Sequence, residues 1–304
     1  MSRRRHLVLE TIYDPDEVGN GPADLDLVLV HGLNGDYEKT WTHEKTKVFW
    51  PRDLLPKKQP HTRVLSFSFN ADIWGNTSVA GIRENARALL ATLSDEREEL
   101  EENERPIVFL AHSLGGLVVK QALCTASIET QYLPIAFATR GLMFYGTPHA
   151  GAEQDRWLAI AKSFAPLAPP ARGRSRVSAL VEALETNSKD IAGICEDFRC
   201  RARNYAIVSF FETFAWPGTS STIVGRMSAL MNLDHEDQVP LDAHHMDLCR
   251  FESERDPAFK RTYLRIKKAA KGNLSNGGQA GAGMGGGVTY NQYVIYGGQP
   301  PKAV

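Results

Sequence analysis

The sequence predicts an α/β fold in which a mostly parallel central sheet is covered by helices on both faces. Two observations lead to this prediction. Short apolar segments typical of buried strands alternate along the chain with segments of helical periodicity. In addition, two of these strands run directly into glycine-containing loops, as expected where the carboxyl ends of parallel strands form a ligand-binding edge. With 304 residues, 42% of them hydrophobic, the chain can form one large domain and a tail.

Each element is placed by its own residue pattern. Residues 62–69 alternate and are rich in strand-forming side chains, whereas residues 79–100 have helical periodicity and end in a run of charges. The predicted strands, in chain order, are residues 25–30, residues 62–69, the segment from residue 107 to the turn at Ser113, residues 141–145, residues 205–211 and a last strand around residues 222–227.

Ser113 lies between an apolar strand and a helix, in the segment Ala111-His112-Ser113-Leu114-Gly115. A serine on such a tight turn, with a small residue two positions away on each side, is typical of a nucleophile elbow, which exposes the hydroxyl. Ala111 stands where glycine is usual. The following helix offers amides to a developing oxyanion, and we expect the Leu114 amide to be one donor. The alternative is that Ser113 is only a helix N-cap.

A second loop follows the first predicted strand and reads His31-Gly32-Leu33-Asn34-Gly35. Glycine lets the backbone of such a loop turn an N–H group toward a nucleophile, and we expect the Leu33 amide to be the other oxyanion donor. An ordinary glycine turn after a strand is the alternative. The position of the loop about eighty residues before Ser113, with one strand–helix unit between, favours the oxyanion hole.

Several motifs occur in a fixed order along the chain: residues 31–33, Thr40-Trp41, residues 49–55, residues 111–116, residues 146–151, residues 210–213 and residues 245–251. In these motifs the chain resembles the lipase-like α/β-hydrolases related to the mitochondrial serine-active-site-containing protein. The same group includes fungal SesB-type effector domains of NLR-like receptors. The resemblance covers roughly residues 7–268. It implies an α/β-hydrolase fold and acyl transfer through an acyl-enzyme.

In this fold the catalytic residues follow the chain order nucleophile, acid, histidine. Glu212 comes directly after the predicted strand at residues 205–211, where such a fold carries its acid. We therefore expect Glu212 to orient the histidine and stabilise the imidazolium. The carboxylates that remain as alternatives are Asp234, Glu236 and Asp237.

Two adjacent histidines, His244 and His245, point in different directions, so at most one of them can act as the base. The family pattern places its histidine four residues before a Cys-Arg/Lys-Phe run, which selects His245. His244 is then a loop or helix-capping residue. In the mechanism that the resemblance implies, His245 takes the proton of Ser113 and water resolves the acyl-enzyme.

The other histidines near these motifs have structural interpretations. We expect His112 to pack or hydrogen-bond locally, His31 to support the oxyanion loop, and His149 to line the cleft near the nucleophile. The chemistry needs no metal and no organic cofactor. Four cysteines without Cys-x-x-Cys spacing are interpreted as buried thiols: Cys124, Cys195, Cys200 and Cys249.

Composition bounds the partners and the compartment. The net charge is −1 with mixed signs, which gives no support to a nucleic-acid partner. The basic start lacks a long apolar segment, and no stretch approaches about 18 uninterrupted apolar residues. We therefore expect a cytoplasmic protein. Its expected partners are an acyl-ester or lipid substrate, with peripheral membrane contact.

The predicted hydrolase domain spans residues 1–271 and contains a helical cap insertion at about residues 153–203. Two amphipathic segments joined by a proline-rich loop at this position suggest a cover over the active site. An apolar inner face would favour an acyl chain. The alternative is that these apolar residues only pack the insertion against the core.

The end of the chain changes character. Residues 272–287 are glycine-rich and predict a flexible linker. Residues 288–304 begin with an uncharged, strand-prone segment typical of a cross-β or strand-addition site. By the resemblance, this tail is an amyloid-signalling motif for homotypic assembly or for a matching NLR receptor segment. A loosely docked or disordered terminus is the alternative.

Two functions follow as hypotheses. In the first, the protein is a serine hydrolase of the lipase or esterase kind that serves as an immune or cell-death effector. In the second, it is an interaction module that keeps the hydrolase fold and signals through its tail. The presence of a complete serine, acid and histidine set favours the first.

Overall fold

The computed structural model describes residues 8–32, 35–69, 79–100, 104–149, 159–160, 162–164, 166 and 188–272. The chain divides into two units, Met1–Asn273 and Leu274–Val304, and every described residue belongs to the first. The predicted tail at residues 288–304 lies outside the described residues, as does the predicted linker after residue 272. Both remain predictions.

A sheet of seven strands forms the centre of the described part of the chain. Its strands are β1 (Val8–Tyr13), β2 (Leu25–Val30), β3 (Thr62–Ser68), β4 (Ile107–His112), β5 (Thr139–Tyr145), β6 (Ala206–Glu212) and β7 (Glu236–Leu241). Their order across the sheet is β1-β3-β2-β4-β5-β6-β7. β1 is antiparallel to β3, and all the other neighbours are parallel.

The strand order changes direction at β2. From β2 the chain first moves outward to β3 and then crosses back to β4 on the other side of β2. In open α/β sheets, ligands bind at the carboxyl ends of the strands next to such a switch in order. The carboxyl ends of β2 and β4 carry the two glycine-containing loops that the sequence analysis singled out.

Helices cover both faces of this sheet. They are α1 (Trp50–Asp53), α2 (Val79–Glu99), α3 (Gly115–Ala126), α4 (Leu133–Ala138), α5 (Ser188–Arg199), α6 (Arg226–Ala229) and α7 (Pro257–Ala269). Side chains alternate along β2, so that Val28 and Val30 pack in one core with α2, α3 and α5, whereas Leu27 and Leu29 pack in a second core with α1 and α7. This arrangement confirms the predicted α/β class.

Two edge strands differ from the prediction. The prediction of a strand around residues 222–227 is wrong, because that segment is a loop that runs into the start of α6, and β7 is the last strand of the described residues. Only Val239 and Leu241 are buried in β7, and Pro240 interrupts it. β1 has no fully buried residue and was not predicted. Edge strands are covered on fewer sides, so they lack the continuous apolar runs of β2 and β4.

The predicted cap at residues 153–203 is only partly described. Its last part contains α5, whose residues Ile191, Ile194 and Phe198 are buried in the core shared with α2 and α3. α5 therefore packs against the core, as in the alternative interpretation, and leads into β6; a cap over the active site remains a prediction. Ile160 and Phe164, from the earlier part of the predicted cap, are buried in the same core.

A buried charged cluster lies at the amino end of β2. Asp26 is fully buried and accepts hydrogen bonds from Arg63 of β3, from Arg97 of α2 and from Arg105, which precedes β4. Arg63 also donates to Glu96 of α2 at 3.1 Å. Three guanidinium groups therefore share one carboxylate at the amino ends of the strands, whereas Ser113 lies at their carboxyl ends.

Three of the four cysteines are buried as expected, and Cys200 is exposed, which corrects that prediction. Within the described ranges, no helix is both long enough and apolar enough to cross a membrane.

Candidate active site

Ser113 occupies the tight turn between β4 and α3, with a positive φ of 54°. This left-handed conformation is uncommon for a residue with a side chain and is found at strained functional turns. Two hydrogen bonds hold the turn. The Ser113 N–H donates to the Tyr145 carbonyl at 2.8 Å, and the Thr147 hydroxyl donates to the Ser113 carbonyl at 2.9 Å. The turn is therefore fixed by the carboxyl end of β5.

Two glycines allow the loop after β2 to lie against this turn. A Cβ atom on Gly115 would be 2.2 Å from the His31 carbonyl oxygen, so the first turn of α3 touches the end of β2. A Cβ atom on Gly32 would lie 2.7 Å from Ser113 Cβ and 3.3 Å from Ser113 Oγ. Only glycine fits these positions without displacing backbone or the serine.

His245 begins a short 3-10 helix after β7 and reaches Ser113. Its Nε2 lies 3.0 Å from Ser113 Oγ, and its Nδ1 lies 3.1 Å from Glu212 Oε1. The side chains of all three residues are buried. Since an ionised carboxylate can only accept, a hydrogen on Nδ1 donates to Glu212, and Nε2 is left to accept the serine hydroxyl proton.

Glu212 is the last residue of β6, at the same edge of the sheet as Ser113. Its Oε1 also accepts a hydrogen bond from the Val224 N–H at 2.7 Å. Its Oε2 is buried and has no hydrogen-bond partner among the described residues. The carboxylate is thus aimed at His245 by a backbone amide from the loop before α6.

The alternative carboxylates lie at the other end of the sheet. Glu236 and Asp237 begin β7, which runs parallel to β6, so they are at the amino edge while Glu212 is at the carboxyl edge. Glu236 accepts hydrogen bonds from backbone amides that include Asn232 at 2.7 Å, and Asp237 pairs with Arg265 at 3.1 Å. Asp234 is exposed. Among the candidates, the structure brings Glu212 to His245.

The imidazole of His245 is enclosed by three neighbours. Gly146, at φ 55°, is so close that a Cβ atom there would lie 2.9 Å from both Nδ1 and Cε1. The Phe164 ring stands edge-on to the imidazole, with centroids 5.6 Å apart. His112 Nε2 lies 3.0 Å from the His245 carbonyl oxygen and therefore carries the hydrogen that it donates.

Burial lowers the pKa of His112 well below its usual value, and the neighbouring His245 acts in the same direction. A neutral His112 with its hydrogen on Nε2 is thus the form that fits this site. Its role is to hold the backbone of His245, which agrees with the expected local hydrogen bond.

His31 supports the loop that carries Gly32. Its ring stacks on Phe69 with centroids 4.3 Å apart. Its Nε2 accepts from the Phe69 N–H at 3.3 Å, which leaves the hydrogen on Nδ1 to donate to the Gly32 carbonyl at 2.9 Å. Leu33 itself lies outside the described residues, so its amide remains a predicted oxyanion donor.

Leu114 is buried and takes a helical conformation directly before α3. Its amide therefore belongs to the first turn of that helix, next to Ser113, where free N–H groups and the helix dipole favour negative charge. This is the position that the sequence analysis assigned to the first oxyanion donor.

Two further histidines are not part of this hydrogen-bonded group. The His149 ring stands edge-on to Phe144 at 4.9 Å, and within the part of the chain that the structure describes neither of its buried nitrogens has a hydrogen-bond partner. Burial lowers its pKa well below the usual value. His244 lies 5.7 Å from the Phe214 ring and precedes the 3-10 helix without a side-chain capping hydrogen bond.

The contacts made by Gly146, Phe164 and Val224 were not predicted from the sequence. Gly146 stands in the Gly-Thr-Pro-His motif at the end of β5, and this glycine was the one available signal. The roles of Phe164 and of the Val224 amide depend on packing between distant segments, and no local pattern marks them.

The fold and this arrangement define the class of the protein, which has an α/β-hydrolase fold with a serine, a histidine and a glutamate in hydrogen-bond contact. The peroxisomal alpha-beta-hydrolase Lpx1 from Saccharomyces cerevisiae has a similar fold, with a TM-score of 0.51 and 11% sequence identity over 91% of this chain and 85% of that chain. This likeness concerns the fold alone.

Sequence comparison adds more particular relatives. Residues 24–166 match a family model described as "Putative serine esterase (DUF676)". The chain is 26% identical over 275 residues to Protein SERAC1 of Danio rerio, covering 83% of this chain. It is 25% identical over 284 residues to Protein SERAC1 of Homo sapiens, covering 84% of this chain. The chain corresponds to 40% of the length of each of these curated relatives.

Proposed function

We propose that the protein is a serine hydrolase that cleaves acyl esters, as lipases and carboxylesterases do. The observation that carries this proposal is the hydrogen-bonded series from Ser113 Oγ to His245 Nε2 at 3.0 Å and from His245 Nδ1 to Glu212 Oε1 at 3.1 Å. A serine activated by a base, which is in turn oriented by a carboxylate, is the arrangement that acyl transfer requires. The match to a serine esterase model over residues 24–166 supports the same reaction.

In the proposed mechanism, His245 removes the hydroxyl proton of Ser113 as the serine oxygen attacks the ester carbonyl. Glu212 stabilises the imidazolium that forms. The amides of Leu114 and Leu33 donate to the oxyanion of the tetrahedral intermediate. The imidazolium then protonates the departing alcohol. Water, deprotonated by His245, cleaves the acyl-enzyme and releases the acid.

The test uses two readouts on the purified full chain. A fluorophosphonate probe, which phosphonylates activated serines, reports the nucleophile without knowledge of the substrate. A chain-length series of p-nitrophenyl esters reports turnover and acyl preference. Both are compared between the wild type, Ser113→Ala and Ser66→Ala. Ser66 is a matched control, because it is a buried serine of β3 whose hydroxyl donates to the Tyr37 carbonyl at 2.9 Å.

We expect the probe to label Ser113, and we expect both labelling and turnover to disappear in Ser113→Ala but not in Ser66→Ala. A folded wild-type protein that is neither labelled nor active would overturn the proposal. That outcome would favour the alternative function, an interaction module that keeps the hydrolase fold.

A finer proposal concerns the biological role. We propose that this hydrolase acts in the cytoplasm as an effector of fungal NLR-type immunity or programmed cell death, with residues 288–304 as the assembly motif. Its support is the resemblance of the ordered motifs to SesB-type effector domains and the strand-prone sequence of the tail. If fibrils of a peptide of residues 288–304 neither seed assembly of the full chain nor change its esterase rate, this role is excluded.

A further inference from the structure

Lys120 carries a buried amine that the proposed mechanism does not use. It lies on α3, the helix that follows Ser113, and its side chain is fully buried. The one hydrogen bond of its Nζ within the described part of the chain goes to Cys195 Sγ at 3.4 Å. The Nζ also lies 5.7 Å from the centroid of the Phe144 ring. Buried lysines are usually paired with a carboxylate, and here a thiol takes that place.

The surroundings of Lys120 favour its uncharged form. Burial lowers the pKa of the amine, and this loss of water outweighs the opposing effects of Cys195, Cys124 and Glu236. An amine without a proton has a free lone pair, and it is a nucleophile that can react with an electrophilic partner nearby. The atom directly facing it is the sulfur of Cys195.

Cys195 lies on α5, which packs against α3, and only 6% of the residue is exposed. Small molecules can nevertheless come close to this interface. A surface pocket between the two helices is lined by Cys124, by Gln121 and by Asp197, among others. Cys124 is one turn along α3 from Lys120, so the pocket ends about one helical turn from the lysine–cysteine pair.

We propose that Lys120 and Cys195 are a redox modification site, at which hydrogen peroxide joins the two side chains through a covalent N–O–S bridge. The first peroxide converts the thiol to a sulfenic acid and water, as its O–O bond breaks and an S–O bond forms. The second peroxide accepts two electrons as its O–O bond breaks, the sulfenic O–H and one amine N–H lose their hydrogens to it, the N–O bond forms between this oxygen and the amine, and two waters are released.

The step is balanced in atoms and electrons. The amine and the thiol lose one hydrogen each, and one oxygen enters the bridge. Sulfur and nitrogen lose two electrons each, and the two peroxide molecules accept these four electrons and leave three waters. The bridge ties α3 to α5 and is opened again by a thiol reductant.

The experiment treats the folded full chain with hydrogen peroxide and measures its intact and peptide masses. We expect a gain of one oxygen with a loss of two hydrogens, and a peptide that joins Lys120 to Cys195. Trypsin no longer cleaves after the modified lysine, and dithiothreitol restores both the mass and the cleavage. Cys195→Ser removes the link, whereas Cys124→Ser, the matched control in the same interface, keeps it.

Three outcomes would overturn the proposal. One is a disulfide between Cys124 and Cys195. Another is oxidation of Cys195 to sulfinic acid while trypsin still cleaves after Lys120. The third is that no peptide joins Lys120 to Cys195 at peroxide levels that oxidise exposed Cys200. All three are read from the wild-type protein, so the result does not depend on whether a variant folds.

Discussion

Replacing Glu212 with Gln removes a negative charge next to His245 while it preserves the shape of the side chain. Glu212 Oε1 accepts both the His245 Nδ1–H and the Val224 N–H, and the amide oxygen of Gln can accept both as well. The new NH2 group then takes the place of Oε2, which has no hydrogen-bond partner in the described ranges. The substitution therefore tests the charge separately from the geometry.

The size of the effect follows from the distance between the charges. The Nδ1 to Oε1 distance is 3.1 Å, which places the two charge centres about 4 Å apart. At an effective dielectric constant of about 20, this attraction is about 4 kcal/mol. The attraction acts when His245 becomes an imidazolium in the transition state, so its loss lowers kcat by roughly 1,000-fold.

The assay is the kcat for the best p-nitrophenyl ester, measured with the thermal unfolding temperature of the same samples. Asp237→Asn is the matched control, since it is the same kind of change at a rival carboxylate. Its ion pair with Arg265 is partly exposed, so we expect an unchanged kcat. A Glu212→Gln variant within tenfold of the wild-type rate would refute the assignment of the acid.

Three other substitutions test the site and the core. Gly146→Ala places a Cβ atom 2.9 Å from the imidazole of His245 at φ 55°, so we expect kcat to fall about 100-fold. Its control is Gly193→Ala, where a Cβ atom has no neighbour within 4 Å. We expect this variant to keep its kcat and to gain about 0.5–1 kcal/mol in the free energy of unfolding, measured with denaturant. His112→Phe removes the hydrogen bond to the carbonyl oxygen of His245, and we expect kcat to fall about tenfold with unchanged KM. A variant with the wild-type kcat would show that this hydrogen bond is dispensable for catalysis. Asp26→Asn leaves the buried guanidinium groups poorly paired and should lower the free energy of unfolding by about 3–5 kcal/mol. The same change at Asp247, whose pair with Arg250 is exposed, should lower it by less than about 1 kcal/mol. Equal losses would show that burial does not strengthen the contribution of the Asp26 cluster to stability.

The part of the fold that could be predicted from the sequence is the part buried on both faces. Strands β2 and β4 are buried throughout and mostly apolar, because helices cover them on both sides, and such runs are easy to recognise. The edge strands β1 and β7 mix buried and exposed residues, so their patterns are weak. For a related reason the sequence could not distinguish a cap from a sheet-covering helix at residues 153–203, since α5 is amphipathic in either case.

The same division applies to the candidate site. Ser113 and Glu212 could be proposed because each follows a predicted strand, and His245 because of a motif in the resembled family. The closeness of Phe164 to the imidazole and the Val224 amide on Glu212 arise only when distant loops pack together. The amide of Leu33 remains a prediction.

The buried cluster around Asp26 has a consequence for strand alignment. Asp26 faces Arg63 as its direct partner in the register of β2 and β3, and a slip by one residue would turn the carboxylate to the opposite face of the sheet. That slip would leave an unpaired charge in an apolar core. Gly32 is six residues further along the same strand and loop, roughly 20 Å away in extended chain. The buried Asp26–Arg63 pair at the amino end of β2 thus fixes the strand register. That register in turn fixes the position of Gly32 beside Ser113 at the carboxyl end.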